Sequence, residues 1–251
     1  MISISSKNWV LDNIDTVLFD KDGTFIDLHF FWGKMTELRI EEIIKKYELS
    51  PDSFKQLCSL LGYDVNKKKM LSDGITALYS RDKIISIFNK NLNKLGIPTN
   101  EKELENIFDK VSLEFNKNIH NYTKPIESAI DFIKLLHSKG VKLGIVTSDS
   151  VKSTNLTINY FGWNNLFNTV IGRESINFPK ESGMPIKLAL NNLKSNPNNT
   201  IMVGDTPIDA KSAKNADIAG CILVSTGQVN IEELSKHSNY VINSFEELLA
   251  F

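Results

Sequence analysis

Hydrophobic and polar positions alternate along this chain between two patterns. Short, wholly or largely apolar, β-prone runs occur at 16–19, 141–147, 168–172, 200–204 and 220–225. Runs of that length with no polar face predict strands covered on both sides, as in a parallel sheet. Amphipathic helical stretches lie between them, which predicts an α/β fold with a doubly wound, Rossmann-like parallel sheet. One helix is predicted to begin at Pro125, to carry Ile126, Ile130, Ile133 and Leu136 on one face, and to stop at Gly140.

The segment between the first run and that helix reads differently. It shows no convincing strand and four helical stripes in succession. These are Ile40, Ile43, Ile44 and Tyr47; then Phe54, Leu57, Cys58 and Leu61 after a Ser50-Pro51 start; then Ile84, Phe88, Leu92 and Leu95; and last Leu104, Ile107, Phe108, Val111 and Phe115. Asn100 followed by Glu103 has the form of a capping box for the fourth. The expectation is an all-helical domain at 28–123, inserted into an α/β core formed by 1–27 and 124–251.

Composition narrows the partners. The chain has 251 residues, 41% hydrophobic and 24% charged, enough for a core and a smaller second domain. A formal net charge of -1 removes the long-range attraction that drives non-specific nucleic-acid binding, so no nucleic-acid partner is expected. Residues 1–11 are broken by Ser, Lys and Asn and lack the apolar stretch of a secretory signal, and no run approaches a membrane span. Cys58 and Cys221 have no metal-type or redox-type neighbours and are expected as free thiols in a reducing, cytoplasmic setting. Oligomeric state is not legible.

Candidate chemistry gathers at the ends of the predicted strands. Asp20-Lys21-Asp22-Gly23-Thr24 places two carboxylates at the carboxyl end of a buried strand, where open α/β sheets bind ligands. Thr147-Ser148 closes the second strand, Lys180 sits in the loop after the third, and Gly204-Asp205-Thr206-Pro207-Ile208-Asp209 closes the fourth. All four belong to one edge of the sheet. A calcium loop is a poor match for the first motif. An EF-hand needs its glycine at position six and an acidic residue at twelve, whereas here the glycine is fourth and position twelve is Phe31.

Together these residues resemble the haloacid dehalogenase superfamily, in its phosphatase branch, similar to phosphoglycolate phosphatases with a helical cap inserted after the first motif. The resemblance runs over nearly the whole chain: Asp20, Asp22, Gly23 and Thr24 match the first motif, Thr147 the second, and Gly204, Asp205 and Asp209 the fourth. Lys180 is matched to the family's lysine, although Glu181 stands where a proline commonly follows it and the next proline is Pro185; Lys187, on the next helix, is the less favoured substitute. The stretch 239–249 is similar to the final strand and helix of such phosphatases.

The resemblance implies a small phosphorylated metabolite, in the phosphoglycolate or sugar-phosphate class, as substrate and Mg²⁺ as cofactor. Asp20 would be the nucleophile and Asp22 the general acid and base. Thr147, Ser148 and Lys180 would hold the phosphoryl group. Asp20, the Asp22 carbonyl and Asp205 would hold the metal, with Asp209 behind them. The chemistry fits these residue types, because a phosphate dianion repels an attacking carboxylate unless positive charge is supplied at the site. Asp209 could alternatively serve only to cap the helix after Pro207.

A dehalogenase would need neither Asp22 nor Asp205. A phosphomutase of the β-phosphoglucomutase type would share every motif, and a retired, metabolite-binding relative would be free to lose the carboxylates. Lys67-Lys68-Lys69 reads as solvated surface, Phe30, Phe31 and Trp32 as packing, and the four histidines as having no catalytic or zinc-binding partner.

Overall fold

The computed structural model describes residues 1–251, which divide into two compact units, Met1–Asp27 with Lys124–Phe251, and Leu28–Thr123. Strands in chain order are β1 (Ile2–Ser6), β2 (Trp9–Ile14), β3 (Thr16–Phe19), β4 (Tyr63–Asp64), β5 (Lys69–Met70), β6 (Lys142–Val146), β7 (Thr169–Ile171), β8 (Thr200–Gly204), β9 (Gly220–Val224), β10 (Tyr240–Ile242) and β11 (Leu249–Ala250).

The first unit is built on a six-stranded sheet in the order β10-β9-β8-β3-β6-β7. Every pairing in it is parallel. β3 is buried along its whole length, as its unbroken apolar run requires of a central strand. Its two faces have different owners. Leu18 packs with Val146, Met202 and Leu223 beneath the helices Met184–Leu193 and Pro207–Ala216. Val17 and Phe19 point the opposite way by alternation and are equally buried. From β3 the chain winds outward through β6 and β7, then returns to lay β8 on the other side of β3. That reversal puts the topological switch point between the carboxyl ends of β3 and β8, the crevice in which such sheets bind ligands.

Several expectations are corrected at their edges. The helix expected from Pro125 runs over Glu127–Ser138. Pro125 instead pairs with Ile26, and Ile126 N–H donates to Phe25 O at 2.9 Å, which holds this stretch extended until the helix begins. The helix expected near the C-terminus is a single 3₁₀ turn, Phe245–Glu247, before β11. A three-stranded antiparallel sheet, β11-β1-β2, stands apart from the apolar strand runs of the sequence, and in it Ile2 and Ile4 alternate with serines at strand period.

The second unit packs the helices Leu28–Lys46, Phe54–Leu60, Arg81–Lys94 and Glu101–Lys117 through their apolar faces. Phe31 meets Phe115 edge-on at 4.9 Å between centroids. Asn100 caps the last of these helices, its side chain accepting from Glu103 N–H. This unit is not all-helical: β4 and β5 form an antiparallel hairpin. Its turn is organised by Asp64, whose Oδ1 accepts from the N–H groups of Asn66 and Lys67, with Lys68 in a left-handed conformation at φ 53. Lys67, Lys68 and Lys69 are exposed there, and His29 Nδ1 accepts from Met70 N–H at 3.1 Å. Leu95, placed on the third stripe, is 46% exposed, because the helix ends at Lys94 and Ile85 takes the inward position.

Candidate active site

Asp20 is the first residue beyond β3, and its N–H continues the ladder by donating to Val203 O at 2.8 Å. Asp205 stands at the corresponding position beyond β8, so the switch point brings two carboxylates together from distant parts of the sequence. Asp209 joins them from the first turn of the helix Pro207–Ala216, and potential ligand oxygens of Asp20, Asp205 and Asp209 all lie within 4.8 Å of one another. Asp205 and Asp209 are fully buried and Asp20 is 8% exposed.

Lys180 answers part of this charge. Its Nζ lies 2.9 Å from Asp20 Oδ1 and 2.6 Å from Asp209 Oδ1. The loop that presents it is a 3₁₀ turn, Lys180–Ser182, tied down by Ser212 Oγ donating to Lys180 O and Asn215 Nδ2 donating to Glu181 O, each at 2.7 Å. These bonds hold the loop without a proline directly after the lysine. Lys187 is exposed on the following helix and makes no such contact. The second oxygen of Asp209 accepts from Thr206 N–H at 3.0 Å and Thr206 Oγ1 at 2.7 Å, so Asp209 caps its helix as well as facing Lys180.

Asp205 has no such partner. Both its carboxylate oxygens are buried without a hydrogen bond. Burial, followed by the charges of Asp20 and Asp209, holds its pKa well above the usual 3.8. Backbone closes in on it from two sides: a Cβ at Gly23 or at Gly227 would overlap the Asp205 carboxylate. Gly23 also adopts φ +88, a conformation that glycine takes without strain. Thr226 Oγ1 donates to Gly23 O at 2.6 Å and joins the loop after β9 to the first motif. A tight cradle around two orphaned carboxyl oxygens, in an all-oxygen donor set, is chemistry that fits a hard divalent cation, which would favour the ionised form.

A haloacid dehalogenase-like hydrolase family model matches residues 66–223. The chain belongs to that family. Among relatives of this haloacid dehalogenase-like hydrolase, a pyrophosphatase PpaX from Anoxybacillus flavithermus is 27% identical over 205 residues, covering 81% of this chain and 80% of the relative. A phosphoglycolate phosphatase from Aquifex aeolicus is 27% identical over 200 residues, covering 80% of each. Among solved structures, a haloacid dehalogenase-superfamily hydrolase of subfamily IA from Geobacter sulfurreducens superposes with a TM-score of 0.66 at 18% identity over 97% of both chains. CbbY from Rhodobacter sphaeroides, solved with phosphate, gives 0.62 at 15% identity over 92% of this chain and 95% of that one.

The remaining expected residues of this hydrolase line the neighbouring strand end. Thr147 N–H donates to Ile171 O, and Thr147 Oγ1 accepts from Asp149 N–H at 3.1 Å. Ser148 is exposed immediately beside it. Asp22 pairs with Lys21, and its pKa is pushed up to about 6, chiefly by burial, with Lys21 pulling the other way. Burial likewise raises Asp20, against the opposing pull of Lys180. The motifs give no notice of Lys21 and Asp149. Lys21 is fully buried, with its Nζ on Asp22 Oδ1 and 3.1 Å from Asp149 Oδ2. The available signal is a lysine set between two aspartates at the end of a strand with no polar face, where an exposed position is hard to find.

Proposed function

We propose that this hydrolase is a Mg²⁺-dependent phosphatase that cleaves a small-metabolite phosphate monoester through an aspartyl-phosphate on Asp20. The observation that carries the reading is the pairing of Asp20, at the carboxyl end of the central strand, with the buried Lys180 ammonium at 2.9 Å. Asp20, Asp205 and the Asp22 carbonyl would hold Mg²⁺, with Asp209 behind them, and the ion would offset the negative charge of the phosphoryl group. One Asp20 oxygen attacks phosphorus, and the bond to the leaving oxygen breaks with its electrons. Asp22 gives its proton to that oxygen, and a carboxyl titrating at about 6 is suited to doing so near neutrality. Asp22 then takes a proton from the water that releases phosphate from Asp20. Thr147, the Ser148 amide and Lys180 hold the phosphoryl oxygens. The unit at 28–123 acts as a cap that selects the metabolite.

Phosphoglycolate and sugar phosphates lead the candidate substrates. The relatives named pyrophosphatase add pyrophosphate as a second reading, and phosphoryl return to the substrate, as in a mutase, is separated from both by whether free phosphate accumulates. A cytoplasmic setting fits the two free, buried cysteines, and no helix is long and apolar enough to cross a membrane. The deciding experiment measures phosphate release from these compounds with Mg²⁺ and with chelator. Asp20→Asn should lower turnover by several orders of magnitude, to what binding and electrostatics alone support. Undiminished release in chelator would defeat the metal assignment, and a variant keeping about a tenth of the activity would mean that water attacks directly.

A further inference from the structure

A lysine with no exposed surface must have its charge met inside the protein, because an unpaired buried ammonium is too costly to persist. Lys21 meets that requirement in a particular way. It sits between the proposed nucleophile and the proposed general acid in sequence, yet its ammonium reaches the end of a different strand. The carboxylate it finds there is itself immobilised: Asp149 Oδ1 accepts from Ser150 N–H at 2.7 Å, Asp149 N–H donates to Thr147 Oγ1 at 3.1 Å, and Asp149 O accepts from Arg173 N–H at 3.0 Å. The backbone of Lys21 is equally fixed, its carbonyl accepting from the N–H groups of Thr24, Phe25 and Ile26 at 3.1–3.3 Å. The ammonium is therefore anchored at both ends of its side chain before it touches Asp22.

We propose that Lys21, braced by Asp149, is a positioning residue that pins Oδ1 of Asp22 and so fixes the carboxyl for proton transfer to the leaving oxygen. This inference rests on the general-acid role given to Asp22 above. An aspartate carboxyl otherwise turns freely about its last bond, and proton transfer demands hydrogen-bond reach to the departing oxygen at the moment its bond to phosphorus breaks. Pinning one oxygen removes that rotation. The brace also joins the end of β6, which carries Thr147, to the loop after β3, so the expected phosphate-holding group and the expected acid move as one body.

The test reads phosphoenzyme formation by rapid mixing, using the wild-type protein with Mg²⁺ and two substrates. One is an alkyl phosphate, whose alkoxide must be protonated to leave; the other is p-nitrophenyl phosphate, whose phenolate leaves without help. Lys21→Met should slow formation about 10- to 100-fold with the alkyl phosphate, part of what a general acid contributes, and only a few-fold with the aryl one. Asp149→Asn keeps the size of the side chain and should give the same asymmetry more weakly, which preserves the test if Lys21→Met does not fold. Asp22→Asn is the control. Should Asp22→Asn itself slow both substrates equally, the general-acid role fails and the proposal with it. Where Asp22→Asn discriminates but neither Lys21→Met nor Asp149→Asn does, the proposal alone is overturned, and Lys21 merely neutralises buried charge.

Discussion

Two buried lysines in this site occupy similar surroundings. Lys180 lies between Asp20 and Asp209 on the β8 side of β3, and Lys21 lies between Asp22 and Asp149 on the β6 side. In both cases burial works against the ammonium and the two carboxylates more than compensate, so each lysine's pKa is raised. The difference is in what stands beyond each cluster. Next to Lys180 is a fifth carboxylate, Asp205, with no hydrogen-bond partner; no carboxylate in that condition with both its oxygens accompanies Lys21. Five carboxylates share two ammonium groups, and the shortage of positive charge falls on Asp205. The comparison teaches that one cluster closes on itself while the other keeps a carboxylate unmet, as the proposed Mg²⁺ site would require.

The severest way to break this picture is to remove the lysine on the open side. Lys180→Met leaves Asp20 and Asp209 facing each other without a counter-charge. It should destabilise the protein by about 3–5 kcal/mol and slow phosphate release by about 10²- to 10³-fold. Thermal unfolding and turnover together check this, and a loss of stability with unchanged turnover would confine Lys180 to holding the fold. Crowding Asp205 is gentler on the fold and aimed at the cradle alone. Gly227→Ala places a methyl group where Asp205 now lies, and the displacement should cost roughly 10²-fold in turnover and weaken stabilisation by Mg²⁺ in a thermal-shift titration.

The smallest expected effect concerns stability in chelator. Asp205 in the folded protein holds its proton to a pH well above the usual 3.8, so between those two values the unfolded chain ionises and the folded one does not. Folding stability from this group is therefore lost as pH rises, at about 1.4 kcal/mol per pH unit. Asp205→Asn abolishes that slope. Relative to the parent it should gain stability as pH climbs from about 4, and Mg²⁺, which favours the ionised parent, should close the gap. A pH-independent difference between the two proteins would mean that Asp205 is already neutralised by another group.

The strands of the main sheet were legible because a strand buried on both faces leaves an unbroken apolar run, as at Thr16–Phe19 and Thr200–Gly204. What stayed hidden depended on partners remote in sequence. Pro125 looks like a first helical residue until Ile26 claims it for an extended pairing. The hairpin of β4 and β5 turns on Asp64 and a left-handed Lys68, without the glycine that would announce it. Within the site, the types and order of the residues could be read, while Lys21 could not. Its place between two aspartates after a strand with no polar face points to burial, but only the folded arrangement of β3 beside β6 supplies Asp149.

The position of β3 also bears on how the protein can be made. A strand at the centre of a parallel sheet is usually surrounded early, but both neighbours of β3 come from after the insert, β6 first and β8 later still. During synthesis its apolar edge must therefore wait without a partner through the whole of Leu28–Thr123 and well beyond. No unfinished chain lacking β8 can set Asp205 beside Asp20. Competence should arrive abruptly, once β8 and Asp205 have joined the sheet, and a nascent chain stalled before residue 200 should be a client for chaperones rather than a slow enzyme.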